Sequence, residues 1–285
     1  MVARIYNGMG EAHEDNGYPD VAIKYYKKAL SIFTTMYGSD DTRLGGVYTN
    51  LGLASRKTGD FATALDYFTQ DLNIILRESP NDYFSLAISY NNIGLVYGDL
   101  KEFQQATTYY TQAIDNVIKV YGEDNYVLYA LYNNLGNLYK KTEKYALSFE
   151  SFHESIRISS LTFGKDHPKV AQGYINLGAA YLEGNKLEKA EASLLKGLEI
   201  DLAYYGKYHS EIAIAYSNIA TLRTQQNKNQ EALVKIQKGL HALIYEFDNP
   251  NIYCNPSINS ASGSKLLLLK LLVVKADILS IAYKR

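Results

Sequence analysis

The amino-acid sequence predicts an all-α solenoid of six antiparallel helix pairs, closed by one further helix. Three observations lead to this prediction. A tyrosine-led motif recurs every 42 residues, each copy divides into two segments with helical periodicity, and only 5 prolines occur in 285 residues. Proline removes a backbone donor and clashes inside a helix, so its scarcity favours long helices.

The motif that defines the repeat is Tyr-x-Asn-(Leu/Ile)-Gly. Its tyrosines keep the 42-residue spacing without insertion or deletion, at Tyr6, Tyr48, Tyr90, Tyr132, Tyr174 and Tyr216. Two further columns share this period. One holds small residues, namely Ala22, Ala64, Ala106, Ser148, Ala190 and Ala232. The other holds large apolar residues, namely Tyr26, Phe68, Tyr110, Phe152, Leu194 and Ile236. A fixed period of this size is the sequence signature of a repeat architecture.

Each repeat divides into two amphipathic helices. Tyr132, Leu135, Gly136 and Tyr139 follow the i, i+3, i+4, i+7 spacing of one helix face, and the segment 22–30 shows the same stripe. Turn signals rich in glycine and asparagine separate the two helices. Alternation with a period of two residues is not sustained anywhere, so strands are not expected.

Glycine recurs inside the first helix of the repeat, although it costs about 0.5–1 kcal/mol there relative to alanine. The glycines are Gly10, Gly52, Gly94, Gly136 and Gly178, and the last copy has Ala220. The missing side chain predicts a close approach of the second helix. We expect the small column that begins at Ala22 to face the glycines.

Composition excludes several classes of protein. The net charge of −1, from 29 basic and 30 acidic residues, argues against a nucleic-acid partner. The single cysteine, Cys254, excludes an internal disulfide framework. No signal peptide is evident, and Lys270 interrupts the apolar run Leu266–Val274, so no membrane span or membrane partner is expected. The sequence therefore predicts a cytoplasmic protein.

No motif in the sequence carries chemistry. There is no phosphate-binding loop, no metalloprotease motif and no nucleophile elbow. His13 occupies a column that holds tyrosine elsewhere, as at Tyr97 and Tyr139, so we interpret it as a packing residue. Cys254 and His241 lack a third group that would orient them as a catalytic pair. We therefore expect no enzyme activity, no cofactor and no metal site in this chain.

The columns resemble the tetratricopeptide repeat, whose usual period is 34 residues. The 42-residue form resembles the repeats of kinesin light chain and of many bacterial arrays, for which the segment Gly164–Pro168 is typical. The resemblance covers residues 1–245. It implies a right-handed superhelix whose first helices line a concave groove, and a role in binding proteins or peptides. Fold alone does not identify the ligand.

The resemblance places one asparagine of each motif in that groove, and only the first repeat departs, with Gly8. These asparagines are Asn50, Asn92, Asn134, Asn176 and Asn218. An amide both donates and accepts hydrogen bonds. Packed helices lie about 8–10 Å apart, and an extended strand rises about 3.3 Å per residue, so one amide would meet a peptide backbone about every three residues. In related arrays such asparagines hold peptide backbones. The alternative is that the amides bridge neighbouring repeats.

Residues near the asparagine column would set selectivity. The predicted groove residues of this kind are Asn91, Asn133, Asn137, Lys140 and Lys141. The two lysines, together with Arg56 and Lys57, suggest a ligand that carries carboxylates. The alternative for these charges is a solvated helix end.

The end of the chain departs from the repeat. Residues 246–264 are rich in Asn, Pro, Ser and Gly, which predicts a loop, and residues 265–285 predict a helix that is apolar on nearly every side. The tail resembles the junction between bacterial repeat arrays and a CHAT domain, a caspase-like protease. The segments that carry this resemblance are Ala242–Phe247, Ile252–Pro256 and Leu266–Ile278. The resemblance implies a sensor or regulatory arm that contacts such a protease domain. The alternatives are a standalone adaptor and a simple capping helix.

Overall fold

The computed structural model describes residues 1–247, 249–257 and 265–283. Within these ranges the chain forms thirteen α-helices and no β-strand, which confirms the predicted all-helical fold. The helices divide into two compact units, residues 1–138 and 139–285. Asp248 and residues 258–264 of the predicted loop, and Lys284 and Arg285 of the predicted last helix, lie outside the described residues.

The first unit contains three complete helix pairs and the beginning of a fourth. Its helices are α1 (Val2–Asp15), α2 (Pro19–Tyr37), α3 (Gly45–Thr58), α4 (Phe61–Glu78), α5 (Tyr83–Asp99), α6 (Phe103–Tyr121) and most of α7 (Leu128–Lys141). A 3₁₀ turn at Thr42–Leu44 precedes α3. From α1 to α6 each helix packs on the next, and the first helices of neighbouring repeats also touch, α1 with α3 and α3 with α5.

The second unit continues the same pattern. Its helices are α8 (Tyr145–Phe163), α9 (Pro168–Glu183), α10 (Leu187–Tyr205), α11 (Ser210–Gln225), α12 (Asn229–Leu243) and α13 (Lys265–Tyr283). Each helix from α8 onward packs on the next, and α13 also contacts α11. The first helices α9 and α11 touch each other, as their counterparts do in the first unit.

The two periodic columns form the core of both units. Every small residue of the column that begins at Ala22 is fully buried, and the large residues of the column that begins at Tyr26 are buried as well. Burial of one large apolar side chain contributes about 1.5–3 kcal/mol relative to its exposure. The period of the sequence is therefore the period of the hydrophobic core.

Four of the five column glycines face the large residues, not the small ones that we expected; these are Gly10, Gly52, Gly94 and Gly178. A methyl group on Gly10 would lie 2.3 Å from the ring of Tyr26, and one on Gly52 would lie 2.5 Å from the ring of Phe68. The predicted close approach is present, but the predicted partner was wrong. The large side chain occupies the volume that the missing Cβ leaves free, and this contact explains why glycine is kept in the middle of a helix.

The turn inside each repeat has a left-handed backbone at one fixed position. This position is held by Gly17, Gly59, Lys101, Glu143, Asn185 and Asn227. Glycine adopts a positive φ without steric cost, whereas lysine and glutamate do not. Glycine and asparagine favour this conformation, but Lys101 and Glu143 do not, so the packed helices impose the turn geometry at these two positions.

A buried polar cluster attaches α13 to the repeats. The ammonium of Lys275 donates hydrogen bonds to Oε1 of Gln237 in α12 (2.8 Å) and to the carbonyl of Cys254 (2.6 Å). The Gln237 amide nitrogen donates to the carbonyls of Asn249 (2.9 Å) and Asn251 (3.2 Å). In the sequence Lys275 only closes the apolar run of the last helix. In the structure it is buried, and it holds α12, the segment 249–257 and α13 together.

One face of α13 is covered and another is open. Leu268 and Leu271 are buried against the repeats, whereas Leu266, Leu269 and Val273 are exposed and follow the i, i+3, i+7 spacing of one helix face. No helix within the described ranges is both long and apolar enough to cross a membrane.

The second unit also encloses an unpaired carboxyl. Asp201 in α10 is 1% exposed, and neither of its oxygens has a hydrogen-bond partner among the described residues. Burial, with a smaller contribution from the charge of Glu211, raises the pKa of Asp201 to about 7.

We expect the glycine contact to be visible in stability. Gly94→Ala should lower the free energy of unfolding by about 1–3 kcal/mol, because its methyl group would lie 2.9 Å from the buried ring of Tyr110. Gly98→Ala in the same helix is the matched control. Nothing lies within 4 Å of its Cβ position, so the higher helix propensity of alanine should stabilise the helix by up to about 1 kcal/mol. Urea denaturation followed by circular dichroism measures both, and equal effects would contradict this account.

We expect Asp201 to make stability depend on pH. An unfolded aspartate titrates near pH 3.9, so between about pH 4 and 7 the folded chain holds a proton that the unfolded chain has released. Stability therefore falls as pH rises through this window and stays lower above it. Asp201→Asn should melt at a higher temperature than the wild type at about pH 8.5, and the difference should shrink towards about pH 5. A difference that does not change with pH in thermal unfolding would show that Asp201 is not the titrating group.

Candidate peptide-binding groove

Two asparagines of the predicted groove column link neighbouring repeats in the first unit. The Asn50 amide nitrogen donates to Oδ1 of Asn7 (3.2 Å) and to Oε1 of Glu11 (3.1 Å), both in α1. The Asn134 amide nitrogen donates to Oδ1 of Asn91 in α5 (2.8 Å). The alternative interpretation of the column, amides that bridge repeats, therefore describes these two residues.

Asn50 and Asn134 each bond to an asparagine 43 residues earlier in the chain, and Asn92 and Asn218 have no asparagine at that distance. The residue 43 positions before Asn92 is Thr49, whose hydroxyl donates to Oδ2 of Asp71 (3.4 Å). For Asn218 this residue is the apolar Ile175. Asn92 is only 6% exposed, yet neither its amide nor that of Asn218 forms a hydrogen bond with any described residue.

The remaining predicted groove residues have mixed surroundings. Asn91 accepts the bond from Asn134, and Asn137 donates to the carbonyl of Asn133 one turn earlier in its own helix (2.9 Å). Asn176 in α9 is half-buried.

Most of the predicted basic residues are paired with carboxylates of neighbouring repeats. The pairs are Arg56 with Asp99, Lys57 with Glu14, and Lys140 with Glu183. Lys141 is exposed at the end of α7. Because repeat packing accounts for three of these four cations, they give little support to a ligand that carries carboxylates.

His13 and His167 serve packing and capping. The ring of His13 stacks on Tyr25 with centroids 5.1 Å apart, as predicted for a packing residue. Nδ1 of His167 accepts a hydrogen bond from the backbone nitrogen of Lys169 at the start of α9 (3.1 Å). In the described residues no group of three or more His, Cys, Asp or Glu side chains is arranged to hold a metal ion.

Sequence reasoning missed a cavity beside Asn50. Its volume is about 490 Å³, and its walls come from α1, α3, α4 and the start of α5, with Glu11, Thr49 and Asp71 among the lining residues. Asp71 is 5% exposed. Its Oδ2 accepts hydrogen bonds from the hydroxyls of Ser89 (2.6 Å) and Thr49 (3.4 Å).

Burial raises the pKa of the Asp71 carboxyl above its usual range, while the two hydroxyl hydrogen bonds act in the opposite direction. A signal for this residue was present in the sequence. At the 42-residue period its column reads Ala29, Asp71, Ala113, Ser155, Gly197 and Gly239. Asp71 is the one charged residue among small neutral ones.

The stacked helix pairs define a helical repeat protein. A tetratricopeptide repeat model matches residues 1–77 and 127–203, more than half of the chain, and a second model of the same repeat matches residues 87–116. The chain therefore belongs to the tetratricopeptide repeat family.

Solved structures with the same fold include kinesin-light-chain-like repeats. BtubC (BKLC) from P. vanneervenii is 26% identical, with a TM-score of 0.60, over 70% of this chain and 79% of that chain. A putative kinesin light chain from Podospora anserina is 16% identical, with a TM-score of 0.61, over 71% of this chain and 95% of that chain. A tetratricopeptide repeat protein from Parabacteroides merdae ATCC 43184 is 17% identical, with a TM-score of 0.59, over 96% of this chain and 84% of that chain.

Comparison with curated protein sequences gave no significant match. The structural neighbours agree with the predicted type of repeat, whereas the junction to a CHAT domain stays a prediction. The chain is a tetratricopeptide repeat scaffold, a class that typically serves protein–protein interaction and is generally not catalytic.

Proposed function

We propose that the chain binds an extended peptide segment of a partner protein along its first helices, and that unpaired motif asparagines contact the peptide backbone. The observation that carries the proposal is Asn92, a residue that is only 6% exposed and whose amide forms no hydrogen bond with the described residues. The amide atoms of Asn92 are not among the fully buried side-chain atoms that lack a partner, so the amide is accessible to a ligand. A ligand backbone would supply it with a donor and an acceptor, and each hydrogen bond contributes about 0.5–1.5 kcal/mol.

The asparagine column divides into two roles under this proposal. Asn50 and Asn134 use their amide nitrogens to hold neighbouring repeats, so they keep the first helices in register. Asn92 binds ligand within the first unit, and Asn218 is the corresponding amide of the second unit. One amide contributes only about 0.5–1.5 kcal/mol per hydrogen bond, so the remaining affinity comes from side-chain contacts.

The two roles predict opposite behaviour of matched variants. Peptides selected from a random phage-displayed library against the wild-type chain serve as the probe. Asn92→Ala should weaken their binding by about two- to tenfold, the equivalent of one hydrogen bond, and should leave the melting temperature unchanged. Asn134→Ala should lower the free energy of unfolding by about 1 kcal/mol, because Asn91 loses its donor. Titration calorimetry and thermal unfolding measure the two quantities.

Three results would contradict the proposal. They are a library that yields no binding peptide, an Asn92→Ala variant that binds selected peptides as tightly as the wild type, and an Asn92→Ala variant that loses its fold.

We also propose that the open face of α13 is covered by a linked CHAT-type protease domain, whose activity the repeats regulate by sensing a bound partner. The exposed Leu266, Leu269 and Val273 support this proposal, because apolar patches on a surface mark sites of interaction. The alternative is a standalone adaptor, in which α13 only caps the repeats. Any protease activity would belong to the linked domain.

The coding sequence distinguishes these two alternatives. We expect the reading frame to continue past Arg285 into a domain that carries a histidine and a cysteine in protease spacing. A stop codon directly after Arg285 would favour the adaptor. In that case, light scattering shows whether a second copy of the chain covers the open face of α13. Leu269→Glu is the variant that should abolish such a dimer.

A further inference from the structure

Asp71 is a chemical exception that repeat packing does not require. Ala29 and Ala113 fill the equivalent positions of the neighbouring repeats, and both are fully buried. Alanine therefore satisfies the packing at this point of the second helix. Burial of a carboxyl group is unfavourable unless a partner compensates it, so the presence of aspartate calls for a different explanation.

A second exception in the same repeat makes room for the first. Gly45 takes the place that alanine holds in four other repeats, at Ala3, Ala87, Ala171 and Ala213. A methyl group on Gly45 would lie 2.8 Å from Oδ1 of Asp71. Both residues line the cavity. The absence of the methyl group leaves Oδ1 uncovered, and this oxygen accepts no hydrogen bond from the described residues.

All charged residues that line the cavity are acidic. Glu11 and Asp82 line it together with Asp71, and among its lining residues, all within the described ranges, there is no lysine, arginine or histidine. The donors that these carboxylates do have are neutral. Asp82 accepts from the backbone nitrogen and the hydroxyl of Ser85 (3.1 and 2.7 Å), and Glu11 accepts from Asn50. Neutral donors stabilise a carboxylate but leave its charge in place.

The remaining walls suit an aliphatic stem. Ile74, Ile75 and Ile88 line the same cavity, and its volume of about 490 Å³ lies in the usual range for ligand pockets, about 300–1,000 Å³. Lysine and arginine side chains bury their methylene stems along apolar surface and present the charge at the tip. A charge-assisted hydrogen bond to a carboxylate is stronger than a bond between neutral groups.

We propose that this cavity is the specificity pocket of the groove and takes one cationic side chain, a lysine or arginine of the bound peptide, with its charge on the free oxygen of Asp71. The proposal rests on the proposed peptide-binding function. It assigns the ligand a positive charge at this point, whereas the sequence alone suggested carboxylates.

A small-molecule test addresses the pocket without any peptide. The probes are the chloride salts of n-butylammonium and n-butylguanidinium, with n-butanol and sodium chloride as controls. A ligand that binds only the folded state raises the melting temperature. We expect both cations to raise the melting temperature of the wild type and the controls to have no such effect. Asp71→Ala, which introduces the residue found at Ala29 and Ala113, should abolish the shift.

Gly45→Ala is a second variant, and it should reduce the shift because its methyl group displaces the carboxyl. Equal shifts in the wild type and in both variants would overturn the proposal. Absence of any shift in the wild type would overturn it as well.

Library peptides separate this inference from the proposed function. Selected peptides should carry lysine or arginine at one position, and replacing it by norleucine should weaken binding to the wild type tenfold or more but should not weaken binding to Asp71→Ala. Peptides that depend on Asn92 but show no cationic preference would overturn the pocket and leave the peptide-binding function standing. Butyl cations that bind through Asp71, with a library that yields no peptide, would support the pocket and overturn the peptide-binding function.

Discussion

The structure depends on one recurring contact, the packing of a large side chain on helix backbone where glycine has no Cβ. Tyr26 on Gly10 and Phe68 on Gly52 are examples. This contact sets how closely the two helices of a repeat approach. The motif asparagine lies two residues before the glycine on the same helix, so its place is fixed by the same contact. The position of the groove asparagines is therefore set by packing in the core.

Periodicity was sufficient to predict the fold, because each column of the sequence is a layer of the core. It was not sufficient to predict which columns meet. Four of the five column glycines face the large column and not the small one, since the rotation of one helix against another is set by packing that a linear pattern does not contain. The role of Lys275 was not visible for a similar reason, because its partners Gln237 and Cys254 lie on other segments, 38 and 21 residues earlier.

At the candidate site, residues that are equivalent in the repeat consensus have different surroundings. Asn50, Asn92 and Asn134 are equivalent in the repeat, and sequence reasoning gave them one role. Their surroundings differ because the residue 43 positions earlier differs, and Thr49 in place of asparagine leaves Asn92 without a partner. The hydroxyl of Thr49 is directed to Asp71. Gly45, Thr49 and Asp71 thus lie together in the second repeat, and in the sequence they were readable only as exceptions to their columns.

The contacts between residues 43 apart have a consequence for the mechanics of the first unit. Four such contacts couple each repeat to its neighbour. They join Asn50 to Asn7, Asn134 to Asn91, Arg56 to Asp99 and Lys57 to Glu14. In a linear array, stability is a sum of such nearest-neighbour couplings. At Asn92 the corresponding hydrogen bond between the second and third repeats is missing. A ligand that engages the Asn92 amide and the cavity lining of the second repeat would bridge the two, so occupancy of the groove and stiffness of the array would rise together.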